Sequence, residues 1–268
     1  MMSKFIAIFM VAILAQLPTV VFAETPEEKG LRIAIESEKR DIGWIDSEST
    51  MEMILKNRHG QESLRLMRGK SLEVQGDGDK TLMTFDNPRD VKGTSMLTWS
   101  HKVGDDDQWL YLPALKRVKR ISSSNKSGSF MGSEFSFEDL SSREVEKYTY
   151  RHLRDEPCPG EDFKGQDCFV SESFPTDKGS GYTKLVAWVD KVEYRSVKVD
   201  FYDRKESHLK TLTFTGYKKY SDKFWRPTNL AIVNHQSGKS TTLRFKDYRF
   251  GTGLKSVDFS QNALKRMK

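Results

Sequence analysis

Residues 105–140 read DDDQWLYLPALKRVKRISSSNKSGSFMGSEFSFEDL, and this stretch decides the fold that the sequence predicts. In its first half, Trp109 and Tyr111 fall on one side of an extended chain, whereas Leu110 and Leu112 fall on the other. Pro113 then begins a turn. The strand that follows is basic and carries Lys116, Arg117, Lys119 and Arg120. The pattern predicts a β-hairpin with aromatic residues on its first strand and cations on its second.

The second half of the stretch, residues 122–140, is rich in serine and glycine and is called the flap below. It nevertheless carries large apolar residues, namely Phe130, Met131, Phe135 and Phe137. Large apolar side chains in a loop are expected to cover another apolar surface, because exposing all of them to water is unfavourable. We therefore expect the flap to close over an apolar interior.

The remaining chain predicts a large antiparallel sheet. From about Ser47 onward, apolar and polar residues alternate, and turn signals recur roughly every 8 to 12 residues. Short helices are expected after the capping-box residue Thr25, between Glu138 and Tyr148, and near Phe259. A sheet of about ten or eleven strands must curl, and its apolar concave face needs a lid. We predict a mainly β (α+β) fold with one curled sheet, closed by short helices and the flap.

Residues 1–23 have the pattern of a secretory signal peptide. Lys4 is followed by an apolar core, and Val21-Phe22-Ala23 forms a small-x-small cleavage site. A membrane anchor is the alternative, but the apolar run is short for a span and Pro18 interrupts it. We expect export of the chain, cleavage after Ala23, and a single mature domain over residues 24–268.

The sequence contains two cysteines, Cys158 and Cys168. In an oxidising compartment a disulfide between them is expected, and Pro159, Gly160 and Gly165 allow the intervening loop to double back. A metal site and a catalytic thiol are the alternatives, although neither has an evident histidine partner nearby in the sequence.

The composition and motifs favour a binding protein that is not an enzyme. The formal net charge is +6, and the cations are interleaved through strands, which argues against a nucleic-acid partner. The five histidines lack metal-binding spacing, so no metal site is predicted. There is neither a nucleophile elbow nor a phosphate loop, and no cofactor is expected. Glu134, Glu138 and Asp139 are interpreted as cap and surface charges rather than catalytic carboxylates.

The run QWLYLPALKRVKRI, followed by GSFMGSEFSFEDL, resembles the signature of the LolA-like outer-membrane lipoprotein-sorting proteins. Lys92-Gly93-Thr94 with Leu97 and Trp99 fits the same pattern, as does Trp188-Val189-Asp190-Lys191. The similarity extends roughly from Leu31 to Leu264. It implies an incomplete β-barrel closed by helices, a hydrophobic cavity that accepts acyl chains, and a location in the periplasm.

The resemblance further implies a monomeric carrier that binds a lipid or a lipoprotein acyl chain and moves it between membranes. The predicted lining and lid residues are Trp99, Trp109, Tyr111, Phe130, Met131, Phe135 and Phe137. The predicted contacts with headgroups or a partner are Lys116, Arg117, Lys119 and Arg120. Trp99, Trp109 and Tyr111 have an alternative role, because in a filled barrel they would pack together as core.

A second function remains open at the level of sequence. Some LolA-like proteins are thought to work with RND-type inner-membrane permeases. The alternative is therefore a non-enzymatic periplasmic adaptor that docks onto such a transporter.

Overall fold

The computed structural model describes residues 23–266, so the predicted signal peptide lies outside the described residues except for Ala23. The helices are α1 (Pro26–Arg40) and α2 (Gln261–Arg266). The strands are β1 (Asp46–Lys56), β2 (Glu62–Leu72), β3 (Lys80–Asn87), β4 (Ser95–Trp99), β5 (Asp107–Leu112), β6 (Arg117–Ile121), β7 (Tyr148–Pro157), β8 (Asp167–Pro175), β9 (Tyr182–Asp190), β10 (Ser196–Asp203), β11 (His208–Thr215), β12 (Lys218–Tyr220), β13 (Phe224–Arg226), β14 (Asn229–Asn234) and β15 (Ser240–Phe250). Within the described range no helix is both long enough and apolar enough to cross a membrane.

Thirteen of these strands form one antiparallel sheet. Their order is β6-β5-β4-β3-β2-β1-β15-β14-β11-β10-β9-β8-β7, and β12 pairs with β13 separately. The first and last strands of the order are β6 and β7, and they do not pair with each other, so the curled sheet is not closed. The predicted fold, a single curled antiparallel sheet forming an incomplete barrel, is confirmed.

The concave face of the sheet carries the main apolar core. In β1, the buried Met51 and Met53 alternate with the less buried Thr50 and Glu52. The core continues across the sheet through Met67, Phe85, Met96, Leu110, Leu185, Val199, Phe201, Leu212, Ile232 and Leu243. Phe130 and Phe135 of the flap are buried in the same cluster. The expectation that the flap closes over an apolar interior is therefore confirmed.

Trp99, Trp109 and Tyr111 lie on the opposite, outer face of the sheet. Leu110 pairs with Met96 on the concave side, so the next pair, Trp109 and Leu97, faces outward. The three aromatic residues pack against Phe259 and Leu264 at the C-terminal end. Trp99 Nε1 donates a hydrogen bond to the carbonyl oxygen of Phe259 at 2.7 Å. Their predicted position on the cavity wall is wrong, because the C-terminal segment supplies a second core on the outer face.

Helix α1 begins as predicted, with Thr25 and Glu28 forming a capping box. Its buried face is formed by Gly30 and Ile33, because Gly30 lies against the backbone of β7. A Cβ atom at this glycine would lie 2.9 Å from the backbone nitrogens of Arg151 and His152. Leu31 and Ile35, although apolar and spaced to share one face of a helix, are 42% and 47% exposed.

The end of the flap and the segment that follows it also differ from the prediction. The helix expected between Glu138 and Tyr148 is replaced by two 3-10 turns, Glu138–Leu140 and Val145–Lys147. Strand β7 follows directly, in a segment where the sequence pattern predicts no strand. Its residues, YTYRHLRDEP, are half-buried or exposed, so they lack the apolar alternation that identifies a strand with one buried face.

The predicted disulfide between Cys158 and Cys168 is present, with a Cα–Cα distance of 5.0 Å. The bridge links the end of β7 to β8 and lies in a small apolar cluster with Phe163, Val170 and Trp188. The metal-site and catalytic-thiol alternatives are thereby excluded for these two residues.

Replacing both cysteines with alanine should lower the free energy of unfolding by about 3 kcal/mol, because the unfolded chain regains the entropy of an open loop. Urea denaturation of the variant measures this loss. Wild-type protein treated with a reducing agent is the matched control and should lose a similar amount. An unchanged denaturation midpoint in both samples would contradict the prediction.

Candidate functional site

A cavity of about 860 Å³ lies between the flap and the half of the sheet that contains β9, β10, β11 and β14. Its apolar wall consists of Leu185, Val199, Phe201, Leu212, Phe214 and Leu230. Phe135 of the flap and Ile121 of β6 face the same space. These residues share the cavity because alternate positions of each antiparallel strand point to the concave face. The volume is in the range of sites that enclose a small organic ligand.

Charged residues form the rim of this cavity, and they bridge segments that are distant in the sequence. Lys126 of the flap contacts Asp177, which precedes β9, and Lys147, which precedes β7, contacts Asp106, which precedes β5. The opening of the cavity thus lies near β6 and β7, the two end strands of the open sheet. The pairing of these charges leaves the apolar wall as the dominant feature available to a ligand.

A buried ion pair fastens the flap to the sheet. Lys210 of β11 lies 2.6 Å from Asp139 of the flap, and the two side chains are only 3% and 6% exposed. Lys210 Nζ also donates to the carbonyl oxygen of Glu134 at 2.9 Å. The Tyr182 hydroxyl donates to the other oxygen of Asp139 at 2.8 Å. Charge and hydrogen bonds together hold the flap against β9 and β11.

Two further carboxylates hold the flap. Glu138 accepts hydrogen bonds from Ser180 Oγ and from the backbone nitrogen of Gly181, both at 2.9 Å. Burial raises the pKa of Glu138 above its usual value. Glu134 accepts a hydrogen bond from Asn234 at 2.7 Å. The interpretation of Glu134, Glu138 and Asp139 as cap and surface charges is wrong, because Glu134 and Asp139 bind to strands of the sheet and Glu138 binds to the segment just before β9.

The structure brings the four predicted flap residues together. Phe130 is fully buried, and its ring stacks on Phe85 with a centroid distance of 5.7 Å. Met131 and Phe137 are partly buried against the same core, and Phe135 also faces the cavity. Phe130 is thus a core residue, and Phe135 is the flap aromatic that lines the cavity.

The four predicted basic residues lie elsewhere, at the edge formed by β6 and the turn before it. Lys116, Arg117, Lys119 and Arg120 are all exposed. Arg120 pairs with Asp107 at 2.5 Å, whereas the other three have no ion-pair partner among residues 23–266. Lys116, Arg117 and Lys119 are called the basic edge below. This edge is separate from the cavity wall.

Sequence reasoning missed the residues of the cavity wall and the buried lysine. Leu185, Val199 and Leu212 lie in the part of the sequence whose alternation predicts the sheet, and this alternation is the available signal. Alternation assigns residues to two faces but does not identify which face is enclosed. Lys210 resembled an ordinary surface lysine, because its partner Asp139 lies 71 positions away in the sequence.

The structure is similar to several solved structures over most of its length. An outer membrane lipoprotein-sorting protein domain from Vibrio parahaemolyticus is 64% identical, with a TM-score of 0.86 and coverage of 90% of this chain and 100% of that chain. A DUF1329 family protein from Desulfovibrio piger is 32% identical, with a TM-score of 0.82 and coverage of 90% and 99%. A LolA superfamily protein from Nitrosomonas europaea shares the fold at 19% identity, with a TM-score of 0.68 and coverage of 87% and 98%.

Comparison with family models gives a match over residues 77–266 to a family described as "-like: Uncharacterized protein". Comparison with curated proteins gives no significant match.

The Lys210→Met variant should be less stable by about 3–5 kcal/mol, because the buried Asp139 carboxylate loses its cationic partner. Urea denaturation measures the difference. The double variant Lys210→Met with Asp139→Asn should recover most of the stability, since the amide carries no charge. Lys218→Met is the matched control at an exposed lysine. A stability loss no larger in Lys210→Met than in this control would contradict the prediction.

Proposed function

The chain belongs to the LolA-like family of outer-membrane lipoprotein-sorting proteins, and on this premise we propose that it is a carrier for a lipid or a lipoprotein acyl chain. The cargo binds in the cavity beneath the flap, and the protein moves it between membranes. The observation that carries this proposal is the apolar wall of the 860 Å³ cavity on the concave face.

Apolar burial supplies the affinity. Transfer of each CH₂ group from water to the cavity contributes about 0.8 kcal/mol, so one acyl chain is sufficient for binding. Met51, Met53, Met67, Met83 and Met96 belong to the surrounding core. Methionine side chains adapt their shape easily, which suits a site for acyl chains of different length.

The proposed compartment is the periplasm. A signal peptide over residues 1–23, cleaved after Ala23, would export a single domain spanning residues 24–268. The Cys158–Cys168 bridge supports an oxidising location, because such bonds rarely persist in the cytosol. We propose that the mature protein acts there as a monomer without a cofactor.

Movement of the flap is the proposed route for loading and release. Phe135 contributes to the cavity from the flap, so displacement of the flap would uncover one side of a bound chain. The ion pair between Lys210 and Asp139 then sets how tightly the cavity is closed. The cycle requires no bond-breaking step, in keeping with a function that is not enzymatic.

The second candidate is an adaptor that docks onto an RND-type inner-membrane transporter. The basic edge favours it, because Lys116, Arg117 and Lys119 are exposed and without ion-pair partners in the described part of the chain. In the carrier model the same edge would contact anionic headgroups at a membrane surface. The two candidates differ in whether the cavity must hold a ligand.

Leu230→Trp should reduce binding of a fluorescent fatty acid at least about tenfold, because the indole occupies space on the cavity wall. Titration of delipidated protein measures the change in the dissociation constant. Leu64→Trp, the same substitution at a 50% exposed position outside the cavity, is the control and should bind as the wild type does.

Equal binding by Leu230→Trp and Leu64→Trp would contradict the placement of the cargo in this cavity. Absence of fatty-acid binding by the wild type would contradict the carrier itself and favour the adaptor. Circular dichroism of both variants establishes that the sheet is intact.

A further inference from the structure

A second chamber of about 490 Å³ lies between α1 and the sheet. Its apolar surface includes Ile33 and Ala34 of α1, Tyr150 of β7, and Ala187 and Val189 of β9. The chamber adjoins the cavity beneath the flap, because both are lined by Lys102, Ser142, Arg143 and Ser196. A ligand in the cavity can therefore extend a second group into the chamber.

Unlike the cavity, the chamber is strongly acidic. It is lined by Glu38, Asp41, Glu73, Asp77, Asp79 and Glu144. Most of these carboxylates have partners in the protein. Glu38 contacts Lys102 at 2.9 Å, Asp41 contacts Arg226 at 2.5 Å, and Asp77 contacts His101 at 2.8 Å. Glu73 accepts hydrogen bonds from the backbone nitrogens of Gly43 and Ile45.

Glu144 is the exception. Its side chain faces the chamber and the residue is only 6% exposed, yet its carboxyl has no hydrogen-bond donor among residues 23–266. Its carboxyl oxygen lies within 4.8 Å of those of Glu38 and Glu146. Burial, together with the nearby Asp79, raises the pKa of Glu144 to about 7. The carboxyl of this largely buried residue opens only onto the chamber and accepts no hydrogen bond from the described protein, so the position is suited to a positively charged ligand group.

We propose that the acidic chamber binds the ammonium group of an aminophospholipid cargo, with Glu144 and Asp79 as its carboxylate partners. The acyl chains occupy the adjoining cavity, so this inference rests on the proposed carrier function. An ammonium group supplies both the positive charge and the hydrogen-bond donors that Glu144 lacks.

Two neighbouring side chains support this assignment. Lys102 Nζ lies 2.9 Å from Glu38 and 3.4 Å from Glu146, so the same group of carboxylates already accommodates an ammonium group. Arg143 lines both spaces and has no carboxylate partner within the described residues. Its guanidinium donates one hydrogen bond to Ser173 Oγ and lies over the Tyr148 ring, and its remaining N–H groups can bind the phosphate of the same headgroup.

The test is a competition between two lipids with identical acyl chains. Delipidated full-length mature protein is incubated at pH 8 with vesicles of equal parts phosphatidylethanolamine and phosphatidylglycerol. The vesicles are then removed, and native mass spectrometry counts each lipid bound to the protein. We expect a preference for phosphatidylethanolamine of about tenfold, which equals about 1.4 kcal/mol.

The double variant Glu144→Gln with Asp79→Asn should bind the same total amount of lipid with a preference near one. Glu161→Gln, at a highly exposed position on the disulfide loop, is the matched control and should keep the wild-type preference. Glu144→Gln alone removes one carboxylate and should give an intermediate preference.

The pH dependence provides a second readout. The charged groups that face Glu144 are Glu38 of α1, Asp79 before β3, Lys102 after β4, and Glu146 of its own segment. Burial also raises the pKa of Asp79 to about 6, so protonation of Glu144 and then of Asp79 removes the negative charges that attract the ammonium group. The preference of the wild type should therefore decrease between pH 8 and pH 5.5, whereas that of the double variant should stay constant.

The outcomes separate this inference from the function on which it rests. Binding of neither lipid would overturn the carrier function. Equal binding of both lipids by the wild type, or a preference that persists in the double variant, would overturn the ammonium site and leave the carrier function intact. Calcium binding that Glu144→Gln abolishes would also overturn it, since the chamber would then be a metal site.

Discussion

The structure depends on covering the apolar concave face of a sheet that does not close on itself. Thirteen strands present this face, and β6 and β7 remain unpaired with each other at its two ends. A closed barrel would bury its interior through its own strands, whereas an open one requires other segments to cover it. The flap provides much of that cover, with Phe130 and Phe135 buried in the core. The flap does not fill all the space over this face, and the space that remains between the flap and the sheet is the cavity.

The buried pair of Lys210 and Asp139 gives the flap a defined position on the sheet. An ion pair at this depth adds little net stability, because both charges lose their hydration. The pair instead favours one position of the flap, because a flap placed elsewhere on the sheet would leave Lys210 without its carboxylate partner. In the proposed cycle, opening of the flap separates this pair and exposes both charges to water together. Thus one interaction links the closure of the fold to the proposed release of cargo.

Much of the fold followed from the sequence, because local patterns determine local structure. The β5–β6 hairpin, the capping box of α1 and the disulfide were all predicted from residues close together in the chain. The strand β7 was not, because its polar residues give no signal of a buried face. Likewise, alternation places Trp109 and Leu110 on opposite faces of β5. Only the position of Phe259 shows that the face with Trp109 is the outer one, where the C-terminal segment forms a second core. The contact of Lys210 with Asp139 joins segments that are distant in the sequence, as does the proximity of Asp79 to Glu144, and both required the structure.

The central claim is that the cavity beneath the flap holds a lipid. The most direct test is native mass spectrometry of the mature protein, isolated from periplasm without detergent, followed by solvent extraction of any bound material. We expect an additional mass of several hundred daltons, on the scale of one lipid or acyl chain, that extracts as lipid. A protein that has only its own mass, and that takes up no fluorescent fatty acid, would contradict the carrier function.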